Sequence, residues 1–273
     1  MIPAIVFSKD RACQLDALLM SIEAYAAGRF DPVYVLWTYS NPAYRVGYGL
    51  CAERHRDVIF LHEVNFREDT LALLEGKKLV CFFTDDDILT GPVDEGAEET
   101  LAWNRVLAFS LRLGRNTTYC YPLAREQVLP GLIVNGYLEH STFTDDMQCW
   151  RWKEADGDFS YPFSLDGHVL RVADVKTAIQ DHGFTNPNQL EDILAQRASI
   201  FFDRPLLASY QHSRLVGIPA NRVNATHPNR FAEGWRTHAA AELNRRYLAG
   251  ERIQEFDCTA VGAAHQEILF ELA

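Results

Sequence analysis

The sequence predicts an α/β fold in which a mainly parallel, Rossmann-like sheet is flanked by helices. Short apolar runs alternate with stretches of helical period over the first 90 residues, and this alternation is the main observation behind the prediction. The composition, with 48% hydrophobic and 23% charged residues, is typical of a globular protein. Because no linker or internal repeat interrupts the 273 residues, we predict a single domain over 1–273.

The first half of the chain alternates between strand-length apolar runs and helical stretches. The expected strands are 4–7, 33–37, 58–61 and 79–83. The expected helices between them are 15–25, 44–54 and 69–74. This order predicts parallel strands joined by helical crossovers. Ligands bind such sheets beyond the carboxyl ends of the strands, so the segments that follow each strand are the candidate site.

The second half has a looser pattern and reads as an elaboration of the same sheet. The expected strands are 106–109, 148–152 and 169–172, and the expected helices are 173–182, 189–198 and 229–248. Polar, turn-rich stretches separate them, as at 94–99. We therefore expect a mixed sheet in this half. The single domain would comprise three segments, about 1–91, 92–225 and 226–273.

Charge and targeting signals limit the possible partners. The chain carries 26 Lys and Arg against 37 Asp and Glu, a net charge of −11, which argues against a nucleic-acid partner. No apolar run approaches the roughly 18 residues of a membrane span. Charge appears too early for a signal peptide, at Lys9, so we expect a cytoplasmic protein with reduced, structural cysteines.

Three consecutive acids, Asp85, Asp86 and Asp87, follow the fourth predicted strand directly. Burying unpaired carboxylates is costly, and neighbouring like charges repel each other. A hard cation such as Mn²⁺ or Mg²⁺ would relieve this repulsion and could bridge to a diphosphate. An acidic loop or helix cap would give the same run of residues, and this alternative stays open.

Two common nucleotide-binding motifs are missing from the sequence. No Gly-x-Gly-x-x-Gly follows the first strand, and no Gly-x-x-x-x-Gly-Lys-Ser/Thr is found, which disfavours dinucleotide and P-loop folds. A phosphotransferase with an aspartyl nucleophile is compatible with the pair Asp85 and Asp87. Such enzymes usually carry the pair after their first strand, which counts against this reading.

The order of these segments resembles that of nucleotide-sugar glycosyltransferases with the GT-A fold, in particular the inverting, family 2-like branch of bacterial type. The resemblance covers about residues 3–225. Its acidic run resembles the DxD motif, and the other matching segments are 7–11, 109–114, 164–168 and 186–192. The Gln-x-x-Arg-Trp motif of processive synthases is missing, so the resemblance implies transfer of a single sugar.

The resemblance assigns donor-binding roles to the first half. It implies that Ser8 and Arg11 seat the nucleotide, that Asp86 binds the ribose, and that Asp85 supports the nucleotide or the metal. Asp87 would be the main metal ligand. Two further donor contacts are implied, Arg67 at the base or phosphate and His212 at the metal or diphosphate.

The resemblance also implies a general base near the start of a helix, and Glu191 or Asp192 fits this position. Asp166 is a second candidate base. Acids at a helix start also simply complement the helix dipole, and Asp166 with Gly167 also reads as a turn. Arg112 lies among apolar neighbours, so we expect it to pair with an acid near the cluster.

The implied function is metal-dependent transfer of one sugar, with inversion, from a nucleotide-diphosphate donor to a carbohydrate or lipid-linked saccharide acceptor, as in polysaccharide biosynthesis. Residues 1–91 would bind the donor, 92–225 the acceptor, and 226–273 would form a helical extension. Two alternatives stay open: a nucleotidyl or phosphoryl transferase with the same acids, and a sugar-nucleotide-binding protein without turnover. Attachment to a membrane surface and association with a second copy also stay open.

Overall fold

The computed structural model describes residues 1–133, 146–223, 230–231, 238–254 and 260–273. Its strands are β1 Ile2–Lys9, β2 Phe30–Thr38, β3 Ile59–His62, β4 Leu79–Thr84, β5 Asp87–Leu89, β6 Val106–Ser110, β7 Tyr119–Cys120, β8 Arg125–Glu126, β9 Met147–Arg151, β10 His168–Arg171, β11 Leu206–Tyr210 and β12 Leu215–Gly217. Its helices are α1 Ala12–Ala26, α2 Pro42–Arg54, α3 Phe66–Leu73, α4 Gly96–Ala102, α5 Val172–Ile179, α6 Pro187–Arg197 and α7 Ala240–Leu248.

Eight of the strands form one mixed sheet in the order β3-β2-β1-β4-β10-β6-β11-β9. The four strands of the first half are all parallel, as the alternation of strands and helices predicted. In the second half β6 and β11 are parallel, whereas β9 is antiparallel to β11. The predicted α/β class, with a mixed second half, is therefore confirmed.

Strand β10 is inserted between β4 and β6 and runs antiparallel to both. Val169 pairs with Cys81 on one side and with Phe109 on the other. Because β10 is reversed, the loop that precedes it arrives at the edge where β1, β4 and β6 end. Residues 164–167 therefore lie at the carboxyl edge of the parallel strands.

The sheet is buried on both faces, as expected when helices cover a parallel sheet. Side chains along a strand alternate between the two faces. One face packs with α1, α2 and α7 and includes Ala4, Val6, Cys81 and Phe83. The other packs with α3, α5 and α6 and includes Ile5, Phe7, Val80 and Phe82.

Some elements differ from the sequence prediction. The stretch 94–99, expected to be a turn, contains the start of α4, and β5, β11 and β12 were not predicted. Of the helix expected at 229–248, the structure describes α7, while 229 and 232–237 lie outside the described residues. Within the described part of the chain, no helix has both the length and the apolar character needed to cross a bilayer.

The C-terminal segment 260–273 packs back onto the sheet domain. Isolated bridges join Ala263 to Tyr119 and His265 to Gly217. Further along, Phe270 is buried and its ring packs edge-on against His238 at 4.3 Å. These contacts hold the segment beside the carboxyl edge and bring His265 to it.

Candidate active site

The loops after β1 and β4 are joined at the carboxyl edge by Asp85. This buried carboxylate accepts hydrogen bonds from Ser8 Oγ at 2.8 Å and from the Lys9 amide at 3.1 Å. Arg11 Nη1 donates a third bond to it at 2.9 Å. Ser8 Oγ also lies 2.7 Å from Tyr48 Oη. One network thus brings together three residues that were predicted to bind the nucleotide-sugar donor, Ser8, Arg11 and Asp85.

Arg11 links this network to Asp86 and to the segment after β12. Its Nη1 lies 2.9 Å from Asp86 Oδ2 as well as from Asp85, and its Nε donates to Asn221 Oδ1 at 2.8 Å. Burial opposes the charged form, but the carboxylates of Asp86 and Asp85 raise the pKa of Arg11 above its ordinary value. A permanent buried cation therefore balances part of the acidic run.

Thr84 stands between Asp86 and Asp166. Its Oγ1 lies 2.9 Å from Asp86 Oδ1 and 3.0 Å from Asp166 Oδ1. A hydroxyl has one proton, so it can donate to only one of these carboxylates at a time. Asp86 is more accessible than its neighbour Asp85, since 21% of the Asp86 side chain is exposed against 5% for Asp85.

Asp87 is fully buried, with 0% exposure. Its Oδ2 accepts a hydrogen bond from the Thr84 amide at 3.0 Å, whereas its Oδ1 has no hydrogen-bond partner among the described residues. Burial, followed by the charges of Asp166 and Asp86, raises the pKa of Asp87 well above its ordinary value. Asp87 thus has a buried carboxylate oxygen among other acids and no hydrogen-bond donor for it among the described residues.

Asp166 lies at the same edge, in the loop before β10. Arg112 Nη1 donates to its Oδ2 at 3.2 Å, and His265 Nε2 lies 3.1 Å from that oxygen. Burial opposes ionisation, but His265 and Arg112 keep the pKa of Asp166 below its ordinary value. Arg112 also contacts Asp158 at 3.3 Å, so the expected pairing of this arginine with an acid near the cluster is confirmed.

Glu191 is held in the first turns of α6 and points to the loop before β10. The helix starts with Asn186, whose side chain accepts a hydrogen bond from the Gln189 amide, and Pro187 occupies the first turn. Glu191 Oε1 accepts bonds from the Leu165 amide at 3.0 Å and from Ser164 Oγ at 3.2 Å. Burial, and then the charge of Asp166, raises the pKa of Glu191 to about 7.

Ser164 connects the two candidate bases, because its Oγ also lies 3.4 Å from Asp166 Oδ2. Asp192 follows Glu191 on α6 and is partly exposed. The structure thus brings Glu191 and Asp166 to the same edge as the acidic run. Of the two bases bonded to Ser164, Glu191 has the pKa suited to accepting a proton near neutral pH.

The other two predicted contacts lie elsewhere. Arg67 donates from Nε to the His182 carbonyl at 3.1 Å and from Nη1 to Glu68 at 2.7 Å. His212 is exposed and follows β11, which is separated from β4 by β10 and β6. At about 4.8 Å between strands, that position is on the order of 14 Å from β4. The structure therefore does not bring Arg67 or His212 to the acidic run.

The edge offers carboxylate oxygens, the ligands that hard divalent cations prefer, and Asp87 has an orphaned oxygen, although the described acids there do not form a group of three whose ligand atoms all lie within 4.8 Å of one another. Elsewhere in the described residues, Asp16, Cys51 and His55 place their ligand atoms within 4.8 Å of one another. There Arg252 already contacts Asp16 at 2.6 and 2.9 Å. Burial also raises the pKa of the Cys51 thiol, which makes this second group a poor metal site.

Sequence reasoning did not single out Thr84, Asn221 or His265 as site residues. Thr84 is the last residue of β4, so its position before the acids was a usable signal. Asn221 and His265 carry no local signal, because tertiary packing alone brings them to β1 and β10. The histidine that the resemblance implied was His212, whereas the histidine that contacts Asp166 is His265.

Comparison with known proteins gives one curated relative. The chain is 27% identical over 259 residues to the bifunctional glycosyltransferase pgtA of Dictyostelium discoideum. The match covers 82% of this chain and 32% of the relative, so the chain spans about a third of the length of the relative it matches. No protein-family model matches the chain.

Solved structures give weaker matches. The chain aligns with S. aureus TarS at a TM-score of 0.47 and 12% identity, over 77% of this chain and 35% of that one. It aligns with a cytidylyltransferase from Leptospira borgpetersenii at 0.44 and 11%, over 78% and 76%. The mannosyltransferase PcManGT from Pyrobaculum calidifontis, in complex with GDP-Man and Mn²⁺, aligns at 0.32 and 18%, over 45% and 42%. At these values the matches do not by themselves assign a function.

Proposed function

We propose that this chain is a cation-dependent glycosyltransferase that moves one sugar from a nucleotide-diphosphate donor to an acceptor hydroxyl. The observation that carries the proposal is the buried, orphaned oxygen of Asp87 beside Asp86, at the sheet edge that also holds Ser8 and Arg11. Ligands of parallel sheets bind at this edge. The similarity to a glycosyltransferase over most of the chain supports the same conclusion.

The donor would lie across the ends of β1 and β2. Ser8 and Arg11 fix Asp85 and Asp86 there, so the acids present a fixed array to the ribose and diphosphate. Tyr39 follows β2 and His62 is the last residue of β3; their ring centroids are 5.4 Å apart, and the two rings offer aromatic faces to a base. Asp86, being partly exposed, is the acid best placed for the ribose.

Asp87, with Asp86 beside it, would hold a Mn²⁺ or Mg²⁺ ion. When bound, such an ion neutralises the charge that develops on the departing diphosphate. Without the ion, burial and the charges of Asp166 and Asp86 hold the pKa of Asp87 well above its ordinary value. Asp85 acts indirectly, because it is buried and already accepts bonds from Ser8, Lys9 and Arg11, whereas Asp86 is partly exposed.

Glu191 would act as the general base. The acceptor hydroxyl oxygen forms a bond to the anomeric carbon while the bond from that carbon to the diphosphate oxygen breaks. The hydroxyl proton passes to Glu191, and the electron pair leaves with the nucleoside diphosphate. Asp166 is a weaker candidate, because His265 and Arg112 lower its pKa and thereby its affinity for the proton. Direct displacement of this kind inverts the anomeric centre.

Product analysis tests the proposal. We would incubate the full chain with a panel of nucleotide sugars, Mn²⁺ and mixed saccharide acceptors, and identify the phosphorus-containing product. Free nucleoside diphosphate formed together with a glycosylated acceptor is the expected result. Release of pyrophosphate or inorganic phosphate would instead point to nucleotidyl or phosphoryl transfer and would overturn the proposal.

Two variants make the assay specific to the site. Glu191→Gln should abolish transfer yet keep cation-dependent donor binding, and Asp87→Asn should lose both. Asp57→Asn serves as the control, because Asp57 is an exposed acid before β3. Full transfer by Asp87→Asn would remove this residue from the mechanism.

A further inference from the structure

An open cleft of about 390 Å³ lies beside the acidic edge, on the side of the C-terminal segment. Tyr119, Tyr121, Arg230, His265, Gln266 and Glu267 line it. Its volume falls within the roughly 300–1,000 Å³ that small-molecule sites occupy. The donor and cation residues of the proposed function do not line it.

The walls of the cleft are fixed by backbone contacts. The amides of Thr118 and Tyr119 donate to the Gly262 carbonyl at 2.9 and 3.2 Å, which joins β7 to the C-terminal segment. Tyr121 Oη donates to Glu267 Oε1 at 2.7 Å and holds that carboxylate in place. The cleft is therefore preformed by the fold.

Arg230 supplies a positive charge to the cleft. Its guanidinium carbon lies 4.4 Å from the centroid of the Tyr121 ring, and its Nη1 donates to Tyr119 Oη at 3.3 Å. Glu267 Oε1 is 4.0 Å from Nη2, at the limit of an ion pair, and the Arg230 side chain is 45% exposed. A planar guanidinium positioned in this way is suited to a carboxylate or a phosphate.

His265 connects the cleft to the proposed catalytic groups. His265 lines the cleft, and its Nε2 lies 3.1 Å from Asp166 Oδ2. Asp166 and Glu191 are joined in turn by Ser164 Oγ. A ligand in the cleft would therefore have one end at His265, the residue that contacts Asp166.

We propose that this cleft binds the acceptor and that the acceptor is an anionic saccharide. A sugar ring packs on the half-buried Tyr119, Glu267 accepts from ring hydroxyls, and Arg230 binds a carboxylate or phosphate on the sugar. This inference rests on the proposed function, because the bound saccharide is an acceptor only if the chain transfers a sugar. The binding of an anionic sugar can be measured without turnover.

Calorimetric titration of the full chain tests the inference. The probes are methyl β-glucuronide, with a carboxylate, glucose 6-phosphate, with a phosphate, and methyl β-glucoside as the neutral match. Each is titrated with and without Mn²⁺ and a mixture of UDP and GDP. We expect the wild type to bind at least one anionic probe more tightly than the neutral one. The preferred anion identifies which of the two acidic groups the cleft takes.

Variants locate the binding. Arg230→Gln should lower the affinity for the anionic probe by about tenfold or more, and Tyr119→Ala should lower this affinity as well. The matched control is Arg125→Gln, because Arg125 is an exposed arginine on β8 paired with Asp156, outside the cleft. Each variant is first checked by its thermal unfolding midpoint, so that lost binding is not confused with lost folding.

The results separate the two proposals. Wild-type binding that is lost in Arg230→Gln and kept in Arg125→Gln supports the cleft, even if no nucleoside diphosphate is ever released. The inference is overturned if no anionic probe binds, if the neutral probe binds equally well, or if Arg230→Gln binds as the wild type does. Glycosyl transfer observed together with any of these results leaves the proposed function intact and places the acceptor elsewhere.

Discussion

At this edge, the surroundings of one residue, Asp87, oppose its charged form. The carboxylate is wholly buried, one of its oxygens has no partner among the described residues, and Asp86 and Asp166 repel its charge. An unsatisfied buried polar group costs about 1–3 kcal/mol, and more if it is charged. Such a cost is reasonable if the partner of Asp87 is the cation proposed above.

Asp87→Asn should therefore stabilise the cation-free protein by about 1–3 kcal/mol at pH 8. The pKa of Asp87 is raised in the folded state, so its unfavourable contribution grows as the pH rises above the unfolded value. The gain should shrink toward acidic pH. Urea unfolding in EDTA, at pH 8 and at an acidic pH, measures the difference in stability between the variant and the wild type.

The same variant should no longer be stabilised by Mn²⁺, which should raise the unfolding midpoint of the wild type. Asp57→Asn is the control and should respond to Mn²⁺ as the wild type does. An equal Mn²⁺ response in Asp87→Asn would contradict the proposed cation site.

Glu191 makes a prediction about pH. A general base must be ionised, and the pKa of Glu191 is raised to about 7, so kcat/KM should rise with pH through about 7. Glu191→Gln should lower the rate by roughly 10²–10⁴-fold. Asp192→Asn should keep both the rate and the pH profile. If Asp192→Asn is the inactive variant, the base is Asp192.

At the level of elements, the start of α6 positions the proposed base. The side chain of Asn186 accepts the Gln189 amide, and Glu191 lies on the second turn, where it reaches the Leu165 amide. The base is therefore placed by a helix cap on one side and by the loop before β10 on the other.

Asn186→Ala should lower the free energy of unfolding by about 1 kcal/mol and should reduce kcat at saturating donor. Asn65→Ala, which removes the corresponding cap of α3, should cost a similar amount of stability without changing kcat. Asn186→Asp should restore both quantities, because an aspartate also caps a helix. A normal kcat in Asn186→Ala would show that the cap does not position Glu191.

The same elements show what the sequence could predict. Strands β1 to β4 and helix α6 were predicted because the spacing of apolar residues and the presence of helix-capping residues can be recognised within short stretches of sequence. The acidic run was noticed because it directly follows an apolar strand. The reversed direction of β10 has no such signal, since an antiparallel strand has the same alternation as a parallel one. Asp166 was singled out from its loop, but its partners His265 and Arg112 depend on that direction.

At the level of the whole molecule, the C-terminal segment completes the site. It pairs with β7 and β12 and buries Ile268, Phe270 and Leu272 against the face that includes α1 and α7. His265 is placed beside Asp166 by this packing. The site thus depends on contacts between the first and the last parts of the chain.

Phe270→Ala should lower the free energy of unfolding by about 3–5 kcal/mol, because it removes a buried aromatic ring. Leu269→Ala provides a matched control, since the neighbouring Leu269 is 69% exposed and its truncation should change stability by about 0.5 kcal/mol or less. Denaturant unfolding of both variants checks the difference. Equal stability losses would show that residue 270 does not anchor the segment.

The insertion of β10 between β4 and β6 has a consequence for the assembly of the sheet. Strand β4 pairs with β1 on one side and with β10 on the other, so that Cys81 has Ala4 and Val169 as its partners. Asp166 lies in the loop before β10, whereas Asp87 begins β5, directly after β4. Their repulsion is incurred only when β10 docks, so the acids that serve the site also oppose the step that closes the sheet.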